Sequence, residues 1–240
     1  MFLLKLDKIS TTQVKTLKFN LEAVEQSLLD VEKNWKQIDD ALARHKIGRR
    51  DTPFDSVVRH RMMAAYQHLD GLLRNSMEPF SPESLREMLE LNNLVHYGHN
   101  LDLRLQYHRA ILFSEEKFYN QIEPIAKWYS KHMKGEPHPL KVAAEVYVAI
   151  LGHPQLYVEG NHRTGSMISS WISMYYGHPP FVLSVDNAIA YFKPSAEIKK
   201  LADKATWRGR SRLPKYRKRF KAFWEEYIDD KYVEGYRTKK

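Results

Sequence analysis

An all-α fold is predicted for this 240-residue chain from three observations. Apolar residues recur with helical period along most of its length. Pro and Gly pairs punctuate those stretches at helix-length intervals. No run alternates apolar and polar residues with the two-residue period of a strand. Hydrophobic residues make up 43% of the chain, enough for a sizeable core, and the length suits one domain with appendages or two small domains.

The elements follow in order. Val14, Leu17, Leu21, Val24, Leu28, Val31, Trp35, Ile38 and Leu42 alternate steps of three and four, an apolar seam of about four heptads. With a capping box at Ser10 and Gln13 and a stop at Gly48, the seam predicts one helix over 11–46, roughly 54 Å long. Such an arm either packs on its own core or self-associates as a coiled coil, and Trp35 at a seam position disfavours a regular two-stranded coil. "GRRDTP", 48–53, is the best domain boundary. Helices are then expected from Pro53 to about Arg74, from Ser81 to about His96, and from Leu101 to Met133 with an interruption near Pro124. Others are expected over 140–151 and 163–176, in pieces at 186–191 and 195–204, and from Pro214 onward. The domain reading is an arm over 1–48, a core over 49–203 and a basic C-terminal extension over 204–240.

Composition excludes several chemistries. The chain has no cysteine, hence no disulfide, no thiol nucleophile and no Cys-type zinc site. No segment is apolar for long enough to span a bilayer, and the opening "MFLLKLDKIS" is interrupted by Lys5 and Asp7, so a cytoplasmic protein without membrane contact is expected. Net charge is +9, and the stretch from Lys204 to Lys221 carries nine Lys/Arg and no acid. Interleaved with Trp207, Tyr216, Phe220 and Trp224, this tract could hold nucleic acid by phosphate contact and stacking. The alternative, favoured by the helical spacing of Tyr216, Phe220, Phe223 and Tyr227, is a solvated face whose aromatics belong to the core. His96, His99 and His108 form a local cluster without carboxylates at ligand spacing and read better as helix-surface residues than as a metal site.

The stretch that points to function is "HPQLYVEGNHRTGS", His153–Ser166, set between two apolar helices. A helix start offers unpaired N–H groups and the positive end of the dipole. Gly160 lets the backbone approach a ligand, Asn161 can donate an amide to an oxyanion, and Arg163 can hold a phosphate in a bidentate fork. Glu159 would repel a bare anion, but it suits a magnesium ion that bridges phosphate oxygens. The set fits a nucleotide di- or triphosphate with Mg²⁺; a plain Gly-Asn turn with a solvated Glu-Arg pair has the same spacing.

These residues resemble the signature of the Fic (Fic/Doc, or Fido) family, HxFx(D/E)GNGRxxR in one-letter code, and the resemblance covers about residues 54–203. It implies an all-α core with the motif on a loop and the following helix, and transfer of AMP from ATP to a hydroxyl of a target protein. It also implies a His base, an acid holding Mg²⁺ and an anion hole at the Gly-Asn-Gly-Arg turn. Here Glu159, Gly160, Asn161 and Arg163 match, Tyr157 takes the place of the anchoring Phe, His162 replaces the second Gly and Ser166 the last Arg. Gln155 stands where the catalytic His belongs, and Gln cannot act as a base near neutral pH. His153 and His162 are the remaining candidate catalytic groups. The implied phosphate-binding set is Gly160, Asn161, His162, Arg163, Thr164 and Gly165, with Glu159 as metal ligand and ATP and Mg²⁺ as cofactors. The family's inhibitory pattern, (S/T)xxxE(G/N), is absent: only Glu159 and Glu234 precede Gly or Asn, and Gln155 and Asp230 lie four residues before them. The rival readings are a Fic-like binding module without the base and a nucleic-acid-binding protein using 204–221. Expected partners are a nucleotide, a protein with a hydroxyl to modify and a second copy through the arm; nucleic acid is not favoured.

Overall fold

The computed structural model describes residues 17–47, 53–134, 138–200, 203–204 and 207–234. Among these, the chain forms ten α-helices and one 3-10 turn, with two single β-bridges and no longer strand. The all-α expectation therefore holds. No helix among the described residues is long and apolar enough to cross a membrane. The expectations for Val14, the Ser10–Gln13 cap and Gly48 lie outside the described residues.

Two helices replace the single long one: α1 (Leu21–Lys33) and α2 (Trp35–Arg44). The chain breaks at Asn34, whose side-chain Nδ2 and backbone N both donate to the Asp30 carbonyl, at 2.8 and 3.1 Å. An Asn that captures a carbonyl four residues back competes with helix continuation. Nor does α1 begin near residue 11, because Asn20 caps it through Oδ1 to the Ala23 N–H. Ahead of that cap the backbone pairs with the other end of the chain: Asn20 N donates to Tyr232 O, and Glu234 N to Lys18 O, each at 2.8 Å. The seam residues Val24, Leu28, Val31, Ile38 and Leu42 are buried in the chain's own core. Among the described residues the seam thus packs on the chain's own core, the first of the two arrangements expected for it.

Next come α3 (Ser56–Arg74), α4 (Ser84–Tyr97), α5 (Leu101–Gln106) and α6 (His108–His132). Asp55 caps α3, its Oδ1 accepting from Val58 N at 2.9 Å, as the Pro53–Asp55 signal implies. The interruption expected at Pro124 falls at Tyr107 instead, and α6 runs through the proline. Asn120, whose carbonyl loses a hydrogen bond to that proline, is exposed along with it, so water can take the partner's place.

Asp70 on α3 ties the two ends of the chain together. It is 4% exposed, accepts from Phe19 N at 2.8 Å and pairs with Arg74, which also reaches Glu234 at 3.0 Å. An Asn keeps the acceptor but loses the charge. Asp70→Asn is therefore expected to cost about 1–2 kcal/mol in urea denaturation, since Arg74 is half exposed and the pair is partly screened.

The centre is built from α7 (Pro139–Leu151) and α8 (Asn161–Tyr175), joined by the loop 152–160. α7 is almost wholly apolar, with Leu140, Val142, Val146, Tyr147, Val148, Ile150 and Leu151 buried. α8 is buried on nearly all sides although it carries a Thr, a Gly and four serines, because small residues let helix axes approach and each serine hydroxyl finds a carbonyl. Ser169 Oγ donates to Ala143 O and Ser170 Oγ to Phe181 O, both at 3.0 Å.

α9 (Ala188–Lys199) passes through Pro194 and replaces the two pieces expected there. α10 (Trp207–Tyr227) starts about two turns before Pro214, which is exposed within it. Tyr216, Phe220, Phe223 and Trp224 are buried, with Phe220 and Trp224 against Tyr147 and Phe223 and Trp224 against Phe181. Those rings belong to the core and are not available for stacking on bases; the Trp207 side chain lies outside the described residues.

Candidate functional site

The loop between α7 and α8 is held almost atom by atom. Leu156 and Tyr157 are fully buried, and Tyr157 donates its hydroxyl to Met88 O at 3.0 Å while its ring stacks on Phe118 at 5.4 Å. Tyr157 is thus the aromatic anchor its sequence position suggests. Two lysines hold the loop's carbonyls. Lys117 Nζ donates to Tyr157 O at 2.9 Å, and Lys204 Nζ donates to Ala149 O at 2.8 Å and Pro154 O at 2.9 Å. Lys204 thereby caps the C-terminal end of α7, where a cation is favoured by the helix dipole. Burial pulls its pKa down to about 8.

At the start of α8, Gly160 adopts φ +74 and packs against α4. A Cβ there would lie 2.3 Å from His96 Nε2 and 2.8 Å from Asn92 Nδ2. Asn92 Nδ2 donates to the Glu159 carbonyl at 3.1 Å and to Thr164 Oγ1 at 2.9 Å. Asn161, 3% exposed, closes the loop: its Oδ1 accepts from Tyr157 N at 2.8 Å and its Nδ2 donates to Tyr157 O at 2.9 Å.

This geometry corrects three of the residue roles expected from the sequence. The Asn161 amide is used inside the loop, so it is a clamp and not an oxyanion donor. Thr164 is fully buried with its hydroxyl engaged by Asn92. Gly165 is a packing glycine, since a Cβ would come within 3.2 Å of the Tyr147 ring. None of the three presents a side chain to a ligand.

The remaining residues divide between two faces of α8. Arg163 turns toward α3 and α4, donating to Val95 O at 2.7 Å. Burial, and then the neighbouring Arg61, hold its pKa below the usual arginine value, while Glu159 pulls it up. Glu159 is exposed and lines a cavity of about 420 Å³ together with Arg61, Asn92, His96, Tyr97 and Ser114. His96 is no surface residue: its Nε2 is buried and makes no well-formed hydrogen bond. Burial, then Arg163, drive its pKa down to about 4, against a smaller upward pull from the backbone and carboxylate of Glu159. His99 and His108 are exposed.

His162 faces the other way, toward α7 and α9. Its Nδ1 lies 3.2 Å from the Tyr147 hydroxyl, its carbonyl accepts from Tyr191 OH at 2.9 Å, and the Tyr191 and Phe192 rings flank it. It lines a second, mostly apolar cavity of about 160 Å³ with Trp35, Phe54 and Arg163. His153 is exposed, and its backbone carbonyl accepts from Lys204 N at 2.7 Å. Gln155 donates to Leu151 O at 3.3 Å and accepts from Asn161 at 3.4 Å. His162 and Glu159 thus line separate cavities.

Arg61 on α3, Asn92 and His96 on α4, Lys117 on α6 and Lys204 complete the site, and none could be tied to the motif from the sequence because all lie far from it along the chain. Among the described residues, no three His, Asp or Glu side chains stand close enough to hold a metal by themselves. Glu159 therefore suits magnesium only when phosphate oxygens supply further ligands, the usual arrangement for that ion. Comparison with protein families, curated proteins and solved structures finds no match to this chain.

Proposed function

We propose that this chain is a Fic-like module that binds the phosphates of a nucleotide, with Mg²⁺, in the cavity lined by Arg61, Asn92, His96 and Glu159, with Arg163 of α8 close enough to act on His96. The observation that carries this reading is the pair of neighbouring guanidinium groups. Among the described residues neither has a carboxylate partner in an ion pair, and Arg163 is partly withdrawn from solvent, which costs free energy unless an anion compensates it. The first turn of α8 adds N–H groups that have no carbonyl within the helix. Glu159 would hold Mg²⁺ on its hard carboxylate oxygen, and the ion would neutralise phosphate charge. The adjoining cavity of about 420 Å³ suits a molecule of nucleotide size.

Transfer of AMP from ATP to a protein hydroxyl is the second reading, favoured by the motif order Glu159-Gly160-Asn161-x-Arg163 at a loop–helix junction. Its weakness is the base. Gln155 is hydrogen-bonded within the loop, His162 is turned to Tyr147, and His153 is a solvent-exposed side chain.

Calorimetry with Mg-ATP tests the first reading. Arg61→Gln and Arg163→Ala should each weaken binding by about 10- to 150-fold, the loss of one charge-assisted contact of roughly 1.5–3 kcal/mol. Arg61→Gln spares the Val95 contact, so it separates binding from folding. Affinities equal to wild type, or no binding by wild type, would end the anion-site reading. Labelled ATP tests the second: label transfer should be weak in wild type and rise 10²–10⁴-fold in Gln155→His. Strong wild-type labelling that survives both His153→Ala and His162→Ala would rule out the binding-only reading and both candidate bases.

A further inference from the structure

A basic ridge lies away from this site, across α9 and α10. The half-exposed ion pair between Arg219 and Glu197, 2.7 Å long, fixes how the two helices sit. On α9, Lys193 precedes Glu197 by four residues and Lys200 follows it by three, so all three share one stripe. On α10, Lys215 and Arg212 precede Arg219 by four and seven residues and share its stripe, with Lys218 three residues beyond Lys215. The ion pair therefore lays two basic stripes side by side. Lys193, Lys200, Arg212, Lys215 and Lys218 are all exposed, and among the described residues none has an ion-pair partner. Glu197, the acid between the two stripes, is taken by Arg219, and the exposed Glu226 lies two turns beyond Arg219, away from the five cations.

The geometry points to a docking surface for the phosphate backbone of double-stranded nucleic acid. Along α10 the cations from Arg212 to Lys218 span about 9 Å, and along α9 Lys193 and Lys200 are about 10.5 Å apart. Helices in contact lie about 8–10 Å apart, so the five charges cover a patch about 10 Å across. That is a rigid set of phosphate contacts. Among the described rings of α10, Tyr216, Phe220, Phe223 and Trp224 are buried and so give the ridge no stacking platform for the unpaired bases of a single strand. Among the described residues, no large apolar side chain is exposed on α9 or α10, so there is nothing to insert into a lipid surface. What remains is charge in a fixed array, which binds a polyanion by displacing its counterions and reads no sequence.

The test is fluorescence anisotropy with a labelled 20-base-pair DNA duplex of arbitrary sequence, titrated with the full chain between 50 and 200 mM KCl. With five phosphate contacts the affinity should fall roughly 500-fold over that range, a log–log slope of about −4.5, and a second duplex of unrelated sequence should bind equally. Lys193→Gln/Arg212→Gln/Lys215→Gln should reduce the slope to about −2 and weaken binding at 50 mM at least tenfold. Circular dichroism should match wild type, since all three side chains are exposed. Lys33→Gln/Lys36→Gln/Arg44→Gln removes the same charge from α1 and α2 and should leave affinity within about twofold. The proposal is overturned by any of three results: no duplex binding at 50 mM, equal losses in both triple variants, or binding to phosphatidylserine vesicles but not to duplex.

Discussion

Gly160→Ala is expected to destabilise the protein by about 3–4 kcal/mol, more than any other single methyl added to the loop. Two costs combine. A residue with a Cβ at φ +74 gives up roughly 1–2 kcal/mol to left-handed backbone. The new methyl would also sit 2.3 Å from His96 Nε2, a contact that forces α4 and the loop apart at the usual overpacking cost of about 1–3 kcal/mol. Nothing near it can yield easily, because Asn92 on the same side already bridges the Glu159 carbonyl and Thr164. Urea denaturation of Gly160→Ala, His96→Gly and the double variant separates the terms. The double variant should recover the steric part and keep only the backbone part, giving a coupling energy of about 2 kcal/mol. Additive losses would mean that His96 does not press on this glycine.

The glycine's importance was legible from its place in the motif, but its reason was not. Sequence reading assigned Gly160 to close approach by a ligand, whereas the close approach is by the imidazole of His96, 64 positions earlier in the chain. The same limit explains the other departures. Val24, Leu28, Val31, Ile38 and Leu42 announced a buried helical face, yet the heptad did not show that Asn34 would divert its side chain to the Asp30 carbonyl and end α1. Pro124 was read as a break because proline lacks a donor, and the stretch around Pro194 was read as two pieces. Tertiary packing overrode that local cost, as with Phe118, Ile122 and Ile125 on the buried side of α6. Tyr216, Phe220 and Phe223 showed their helical spacing and so their burial. Asn161, Thr164 and Gly165 look like ligand contacts in a motif because the motif records identity, not direction. Asn161 turns its amide back into the loop, Thr164 holds its hydroxyl to Asn92 on α4, and Gly165 packs against Tyr147 on α7. Arg61 had no local signal, since only the meeting of α3 with α8 places it beside Arg163.

Acidification should expose the strain at His96. Its folded pKa, about 4, lies below the ordinary value of 6.5, so between those values the unfolded chain binds the proton and the native state does not. Stability is then fully present above about pH 6.5 and falls as the pH drops toward 4, by about 3 kcal/mol in total from a shift of this size. Other groups titrate across the same window, so the readout is the difference between wild type and His96→Gln in urea denaturation at pH 7.5, 6.0, 5.0 and 4.5. The variant should lose stability less steeply, and the two curves should converge on the acid side; parallel curves would mean that His96 titrates normally. The cause of the shift links this test to the site. Burial comes first, and the Arg163 guanidinium second, so an anion lodged beside Arg61 and His96 would offset the guanidinium charge and raise the pKa of His96. Binding of a phosphate compound there must then take up protons. Mg-ATP affinity should increase from pH 7.5 to pH 5.5 in wild type by several-fold and stay flat over that range in His96→Gln, a contrast that calorimetry can resolve while the protein is still folded.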